Sequence, residues 1–456
     1  MERETISTEN VPPSSPTPQS QQRYNLSMLD QMIPSMLVPL VLYYPYPTDT
    51  ASPDDPHSFA ARFTSRLRRS LSVILTRFYP LAGRVNPDGQ SIDCHDQGVP
   101  FTVVRFPATR LSDLLSKPDE ALPRHLLPCP VTWDSEPGPG SSPALVQLSH
   151  FSCGGAALSL VLWHKAADAA TLGEFVAAWA AAAQPAESNP VRPISPNYLA
   201  QHVFPFRPEI PSGSVSMSEI LKTGTSVMRR FVFDKVSVEV LKSSISAKNL
   251  TRVEAVSALL WRCFMAASLA NGRAYSVLTH AVNLRRRARP PFGPDCFGNF
   301  PGLAAASAEN REEFGLVKLV EKMRGAVGKI DGEFVERMMG DEGLEGYREN
   351  LGLVWRDIPR NADMLSISSW CGFGFYEAAD FGFGRPDWVT RCEAGGGPGS
   401  KFLNVVWLMD TRDGKGVEAW VVLDEKYMTV FEGDVDLRAR AWRDPSPVDN
   451  AGGFMQ

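Results

Sequence analysis

The amino-acid sequence predicts an α/β protein of two domains, and three observations predict it. The chain has 456 residues, room for two or three domains at roughly 100–200 residues each. Segments of strand and helix character mix in both halves, with no fixed-period repeat running through them. Between the halves, residues 184–220 hold seven prolines (185, 190, 193, 196, 205, 208 and 211) and little periodicity, which reads as a crossover between domains.

The elements follow in chain order. Residues 12–22, PPSSPTPQSQQ, are rich in Pro, Ser and Gln, so residues 1–22 are expected to form a flexible lead-in to a first domain over 23–206. Leu37 to Tyr44 is an apolar run of strand length despite Pro39. From Ser58 to Phe78, Phe59, Phe63, Leu67, Leu71, Ile74 and Leu75 recur at helical spacing with arginines on the other face, the pattern of an amphipathic helix. Ala144 to Leu148 and Ala156 to Trp163 read as strands around a turn at Cys153-Gly154-Gly155. The second strand hands over to a helix at His164. Thr171 and Glu174 have the spacing of a capping box, Leu172, Phe175, Val176 and Trp179 form the buried stripe, and Pro185 ends the helix. After a linker at 207–220, the second domain (221–456) carries strands at Arg229–Phe233 and Val277–Val282 and helices at Val236–Ala247 and Arg252–Leu269. A hairpin of Phe402–Met409 with Val417–Leu423 follows, then a short helix capped by Asp424.

Composition narrows the function. Hydrophobic residues make up 43% of the chain, enough for sizeable cores, and the net charge is −5. A duplex-binding protein carries a basic excess, so nucleic acid is not the expected partner. The short run Arg285-Arg286-Arg287 reads as a local structural or phosphate-facing feature. Seven cysteines without a Cys-x-x-Cys pair argue against a disulfide framework and against zinc, and fit a reducing compartment. There is no basic-then-apolar leader and no run of about 18 apolar residues, so a cytosolic location without a membrane span is expected.

The chemistry-bearing candidate is His164 with Asp168. A histidine takes up a proton near neutral pH, and an acidic residue four positions on either orients the ring or pairs with a cation. By spacing alone, a surface histidine before an acidic helix start fits as well, since chance yields such a pair in a chain like this about one time in three. No second histidine stands at metal-ligand spacing, Gly-x-Ser-x-Gly is absent, and Gly395-Gly396-Gly397-Pro398-Gly399 lacks Walker spacing and reads as a flexible loop.

Several blocks carry more. Asp380-Phe381-Gly382-Phe383-Gly384-Arg385-Pro386 closely resembles the Asp-Phe-Gly-Trp-Gly motif of the plant BAHD acyltransferases, and His164 to Asp168 is similar to their His-x3-Asp motif, in the same order. Ser14 to Pro18, Leu26-Ser27-Met28-Leu29-Asp30-Gln31, Tyr79 to Arg84, Cys153-Gly154-Gly155, Val282 to Arg285, Phe297-Gly298-Asn299, Ser369-Trp370, Val417 to Trp420 and Leu423-Asp424-Glu425 agree with the family along nearly the whole chain. Two departures stand out. Ala169 follows Asp168 where many members have glycine, which resembles the vinorine-synthase-like, acetyl-transferring branch. Phe383 replaces the usual tryptophan, keeping a ring and losing an indole N–H.

The resemblance implies two similarly sized mixed-sheet domains of the chloramphenicol-acetyltransferase-like type with a solvent channel between them. It implies an acyl-CoA-dependent O- or N-acyltransferase acting as a monomer on a small specialised metabolite, with acyl-CoA, first of all acetyl-CoA, as co-substrate and no resident cofactor. His164 would be the general base. Asp168, paired with Arg285, would hold the start of the helix, the other reading being a helix-start carboxylate favoured by the dipole. Trp370 with Ser368 would be candidates to face the oxyanion, Trp370 reading equally as a core aromatic, and Asn299 would shape the channel. Asp380, Gly382 and Gly384 would shape a loop near the coenzyme end without touching substrate. Cys296 and Cys371, close to these blocks, read as buried thiols. Two alternatives stay open. One is a carrier-dependent acyltransferase of His-x3-Asp type, against which the Asp-Phe-Gly-Phe-Gly block speaks. The other is a family member that has become a non-catalytic binding or regulatory protein.

Overall fold

The computed structural model describes residues 2–46, 55–118, 125–133, 135–184, 195–212, 221–311, 315–391 and 396–448. The crossover prolines 185, 190 and 193, linker residues 213–220, Cys392 and Gly395 lie outside them. In the first half, β1 (Glu4–Val11), β2 (Leu37–Tyr44), β3 (Val99–Phe106), β4 (Ala144–Phe151) and β5 (Ala156–Trp163) are interleaved with α1 (Met28–Gln31) and α2 (Pro56–Leu75), and α3 (Ala169–Ala183) follows. The second half carries β6 (Ser226–Phe233), α4 (Arg252–Ala270), β7 (Tyr275–Asn283), β8 (Pro301–Glu309), β9 (Asp363–Ser369), β10 (Trp388–Thr390), β11 (Val405–Asp410), β12 (Val417–Asp424) and β13 (Trp442–Arg443). Two mixed sheets result: six strands in the order β1-β3-β4-β5-β2-β10, and seven in the order β8-β7-β9-β11-β12-β6-β13.

The central strands are apolar without alternation because both faces are covered; every residue of β2 and β5 is buried. The α2 stripe read from the sequence is the buried face: Phe59, Phe63, Leu67, Leu71, Ile74 and Leu75 are all inside. At roughly 1.5–3 kcal/mol per large apolar side chain, that stripe contributes on the order of 10 kcal/mol before entropy. Asp55 starts α2 by accepting from the His57 and Ser58 N–H groups, with Pro56 at the first position, where its missing N–H costs nothing. The Trp179 indole on α3 donates to Leu67 O at 3.1 Å and Ser70 Oγ at 3.0 Å, locking α3 onto α2. By length and mean hydropathy α4 could cross a membrane, but 67% of that stretch is buried inside the fold, and it is the core helix of the second half.

Some expectations are corrected. Of the expected lead-in at 1–22, the described residues 2–22 are not a flexible stretch: β1 pairs antiparallel with β3, Glu4 opposite Arg105 and Val11 opposite Val99. Ser14 N–H then donates to Ser72 O, and Thr17 Oγ1 to Asp96. This edge strand is mostly exposed, so it has no apolar run to announce it; backbone ladder bonds hold it. Nor do 23–206 and 221–456 each keep to one core. Met28, Leu29, Ala200 and Phe204 pack into the second core, whereas Trp370, Phe375, Phe381 and Trp388 pack into the first. The reason is β10, which leaves its own half to pair with β2, Trp388 opposite Tyr43 and Thr390 opposite Val41. Thr171 does not cap α3; Asp168 does. The helix expected at Val236–Ala247 runs Lys235–Ser243. The strand expected at Phe402–Met409 breaks after Phe402, because Ser400–Phe402 pairs with Lys222–Gly224 and β11 starts afresh at Val405.

Candidate active site

The end of β5 delivers His164. Its N–H donates to Met36 O at 2.9 Å, its carbonyl accepts from Ala167 N–H, and α3 begins at Ala169. The residue is partly open to a cavity of ≈ 470 Å³ lined from both halves, by Met36, Leu162 and His164 on one side and by Asn299, Ser368, Trp370 and Trp407 on the other. That volume suits a small organic molecule. Burial lowers the His164 pKa below the ordinary imidazole value; its own backbone carbonyl raises it, the Arg391 charge lowers it, and the Asp168 carboxylate and Asn299 side chain raise it. The net direction is downward, so the ring is neutral and able to accept a proton at neutral pH.

Asp168 does not point at the imidazole as a relay partner. Its Oδ1 caps α3 by accepting from Thr171 N–H at 2.8 Å, and Oδ2 accepts from Arg285 Nη1 at 2.7 Å and from Phe300 N–H at 3.2 Å. Burial opposes ionisation of Asp168, but Arg285 and these N–H groups outweigh it and hold the carboxyl below its usual range. Arg285 is 2% exposed. It also donates to Cys296 O and Gly298 O, and it lies 4.2 Å from the Phe300 ring centroid. The first arginine of the basic run is thus a buried strut between the halves, while Arg286 and Arg287 line a second cavity of ≈ 560 Å³. That cavity shares Ala281, Val282 and Asn283 with the first.

Asn299 is fully buried, and its Nδ2 donates to His164 O at 2.9 Å, Lys165 O at 3.2 Å and Asp30 Oδ1 at 2.8 Å. Ser368 is in register with Trp407 where β9 meets β11. Trp370 N–H donates to Leu408 O at 2.7 Å, and the Arg391 guanidinium lies 5.0 Å from the Trp370 ring centroid and 4.1 Å from that of Trp407. Cys296 is buried and Cys371 half-buried; burial pushes both thiols up, Cys371 to about 12, so neither is a nucleophile at neutral pH.

The structure brings His164, Asp168, Asn299, Ser368 and Trp370 to one cavity and leaves Asp380, Gly382 and Gly384 out of its lining. Asp380 Oδ1 accepts from its own loop, Gly382 N–H at 2.8 Å and Gly384 N–H at 3.1 Å. Gly382 has φ +85°, a left-handed conformation that favours glycine, and a Cβ there would also displace the end of the Arg66 side chain. Phe381 is fully buried against Trp179. The Phe383 ring lies 4.8 Å from that of Phe63, with the Arg66 guanidinium 4.4 Å from its centroid. Those contacts need a π-face and no indole N–H.

Three site residues carried no role in the sequence: Asp30, Lys165 and Arg391. Ser27-x-x-Asp30 has capping-box spacing, and the box forms, so that signal was present. For Arg391 none was, since β10's transfer to the other sheet is not written in local pattern.

The sequence and the two-sheet fold match a known class. A family model described as the transferase family covers residues 1–437. Stemmadenine O-acetyltransferase of Catharanthus roseus is 35% identical, the match covering 94% of this chain and 96% of that protein. Epi-neemfruitin B 7-O-acetyltransferase of Melia azedarach is 36% identical, covering 98% and 100%. The crystal structure of vinorine synthase, an enzyme of Rauvolfia serpentina, superposes with a TM-score of 0.79 at 32% identity, covering 96% of this chain and 98% of that one. The chain belongs to this transferase family, the BAHD acyltransferases, and is an acyl-CoA-dependent acyltransferase.

Proposed function

We propose that the chain transfers an acyl group, acetyl first among them, from acyl-CoA to a hydroxyl or amine of a small, largely apolar metabolite, with His164 as general base. The observation that carries this reading is the neutral imidazole at the end of β5, facing a cavity lined from both halves. The neutral ring removes the acceptor proton as oxygen or nitrogen attacks the thioester carbonyl. The imidazolium then protonates the departing thiolate, so no acyl-enzyme is needed. A base so positioned contributes roughly 10²–10⁴-fold, and holding both substrates together supplies much of the rest.

Further features suggest where the coenzyme and the acceptor would lie. The adjoining cavity is bordered by Arg286 and Arg287, which suit the phosphates of coenzyme A, and by Arg324, which is paired with Glu254 on the same wall. The aliphatic and aromatic lining of the main cavity suits an apolar acceptor skeleton. Ser368 and Trp370 border the same space as His164, where donors to a developing oxyanion belong. Asp168 and Arg285 support the helix start and move no proton. The acetyl donor is favoured by Ala169 and by relatives named as O-acetyltransferases.

The test is a screen of acyl-CoAs against alcohols and amines, following thiol release and product mass. Transfer from acetyl-CoA to an apolar alcohol is expected. Wild-type turnover by a folded His164→Ala variant would remove the general base from the reading, and no transfer with any donor would remove the reading itself.

A further inference from the structure

We infer that Asp30, working as a carboxylate, is a positioning residue for the general base: it grips Asn299, and Asn299 grips the backbone that carries His164. The inference rests on the reading of His164 as base.

Asp30 sits in α1 and is fully buried. Its Oδ2 accepts from Ser27 N–H at 2.9 Å and Ser27 Oγ at 2.6 Å, and its Oδ1 from Asn299 N–H at 2.7 Å and Nδ2 at 2.8 Å. The same Nδ2 bonds the carbonyls of His164 and Lys165. Gly298, at φ +111°, lets this loop approach: a Cβ there would stand only 3.2 Å from Asp30 Oδ1. A second tie runs back from Lys165 Nζ to Gln31 O at 3.2 Å. The junction that presents the imidazole is therefore held by α1 and by the Asn299 loop at once, and the residues directly after α1, Met32 to Pro34, line the cavity.

With Nδ2 taken up by these oxygens, the amide's other end is set. Asn299 Oδ1 and His164 Nδ1 are both buried and each lacks a hydrogen-bond partner, and the Asn299 side chain, after His164's own carbonyl, favours the protonated ring. Turning an Nδ1–H toward Oδ1 would satisfy both atoms and leave Nε2 as the basic nitrogen.

Ionisation matters because all four groups around Asp30 are used as donors. A neutral acid would bring an O–H among them, and one of the four bonds would be lost. The titratable groups facing Asp30 are Lys165 and Tyr24, with Glu136 in turn facing Lys165. Burial pushes Asp30 up to about 6, the bonds from Ser27 and Asn299 holding it from going higher. Since its value is raised in the fold, Asp30 contributes stability at low pH that is lost as pH rises through about 6. At neutral pH the fold keeps this charge at a cost, which fits a role in the geometry of the reaction.

The experiment measures kcat and KM from pH 5 to 8 with acetyl-CoA and the best acceptor of the screen, alongside ¹⁵N NMR of the His164 ring in the free enzyme. Asp30→Ala and Asn299→Ala should each lower kcat by roughly 10- to 100-fold with KM nearly unchanged. The double variant should lose no more than the worse single one, because both act along one path. The wild-type acid limb should carry a step at about 6 that Asp30→Ala lacks and that Ser27→Ala, removing a donor to the carboxylate, moves upward. The wild-type ring should be the Nδ1–H tautomer and Asp30→Ala a mixture. Additive losses, an unmoved step in Ser27→Ala, or an unchanged tautomer in Asp30→Ala would overturn the inference. Should Asp30→Ala fail to fold, the Ser27→Ala step alone decides. If His164→Ala is inactive while Asp30→Ala matches wild type, this inference fails alone; if His164→Ala is active, the base reading fails with it.

Discussion

The His164–Asp168 junction and the Asp380–Gly384 loop are both five-residue motifs with an aspartate at one end, and each aspartate ties its own turn, Asp168 pairing with Arg285 besides. Asp168 accepts from the N–H three residues on, and Asp380 from the N–H groups two and four residues on. What differs is the neighbour. Beside Asp168 stands an imidazole open to the cavity. Beside Asp380 stand Phe381 and Phe383, closed against Trp179, Phe63 and Arg66. The lesson is that in each motif the carboxylate builds the turn, and only in the first does a neighbouring side chain capable of proton transfer face a cavity.

The largest effect expected is at His164. His164→Ala should lower kcat by roughly 10²–10⁴-fold with little change in unfolding free energy. A loss of the same size from Asp380→Ala, with the fold intact, would erase the contrast between the two motifs.

Asp168→Ala comes next, and its effect should fall on stability. It leaves Arg285 buried without its carboxylate, a kind of loss that costs about 3–5 kcal/mol. Partial exposure of Asp168, 21%, puts the expectation near the lower end, read by urea unfolding at pH 7. The pH dependence sharpens this. Asp168 titrates lower in the fold than in the unfolded chain, so its contribution is full above the ordinary carboxylate range and is lost as pH falls through the lowered value. His164, also lowered, adds a loss that begins as pH drops below the unfolded imidazole value. Urea midpoints from pH 7 to 3 should therefore fall less steeply in Asp168→Ala than in wild type. An equally steep fall would show that the ion pair is not what acid breaks.

Asp380→Ala should cost about 1–2 kcal/mol, as for loss of a helix cap, and leave KM for acyl-CoA nearly unchanged. Phe383→Trp is the smallest. The ring meets Phe63 and Arg66 and is only half-buried, so the larger indole has room to adjust and the change should cost no more than about 1 kcal/mol, the low end for a small-to-large swap, in thermal unfolding, with unchanged kcat.

Much of this was legible in the chain itself. The α2 stripe and the helix after His164 follow from periodicity, because burial on one face imposes a period that local sequence records, whereas the strand ending at His164 shows as an unbroken apolar run because both its faces are covered. Asp168 as a helix-start carboxylate was one of two readings, and the structure has Asp168 cap the helix and pair with Arg285 together. Thr171-x-x-Glu174 misled because capping-box spacing recurs inside helices, and only the backbone decides which residue starts one. β1 was missed because an exposed edge strand has no apolar pattern to display.

By itself, the sequence determined the family and several elements, among them α2, β5 and α3, and it singled out His164 as the candidate for chemistry. Tertiary structure alone decided the connections between distant parts. Asp30 meets Asn299 across 269 residues and Arg285 meets Asp168 across 117, while β10 crosses to complete the other half's sheet and brings Arg391 to the cavity. The physical reason is that periodicity and capping report what a residue does within its own turn or strand. A buried charge finds its partners only when two remote segments close on each other, and no local pattern records that meeting.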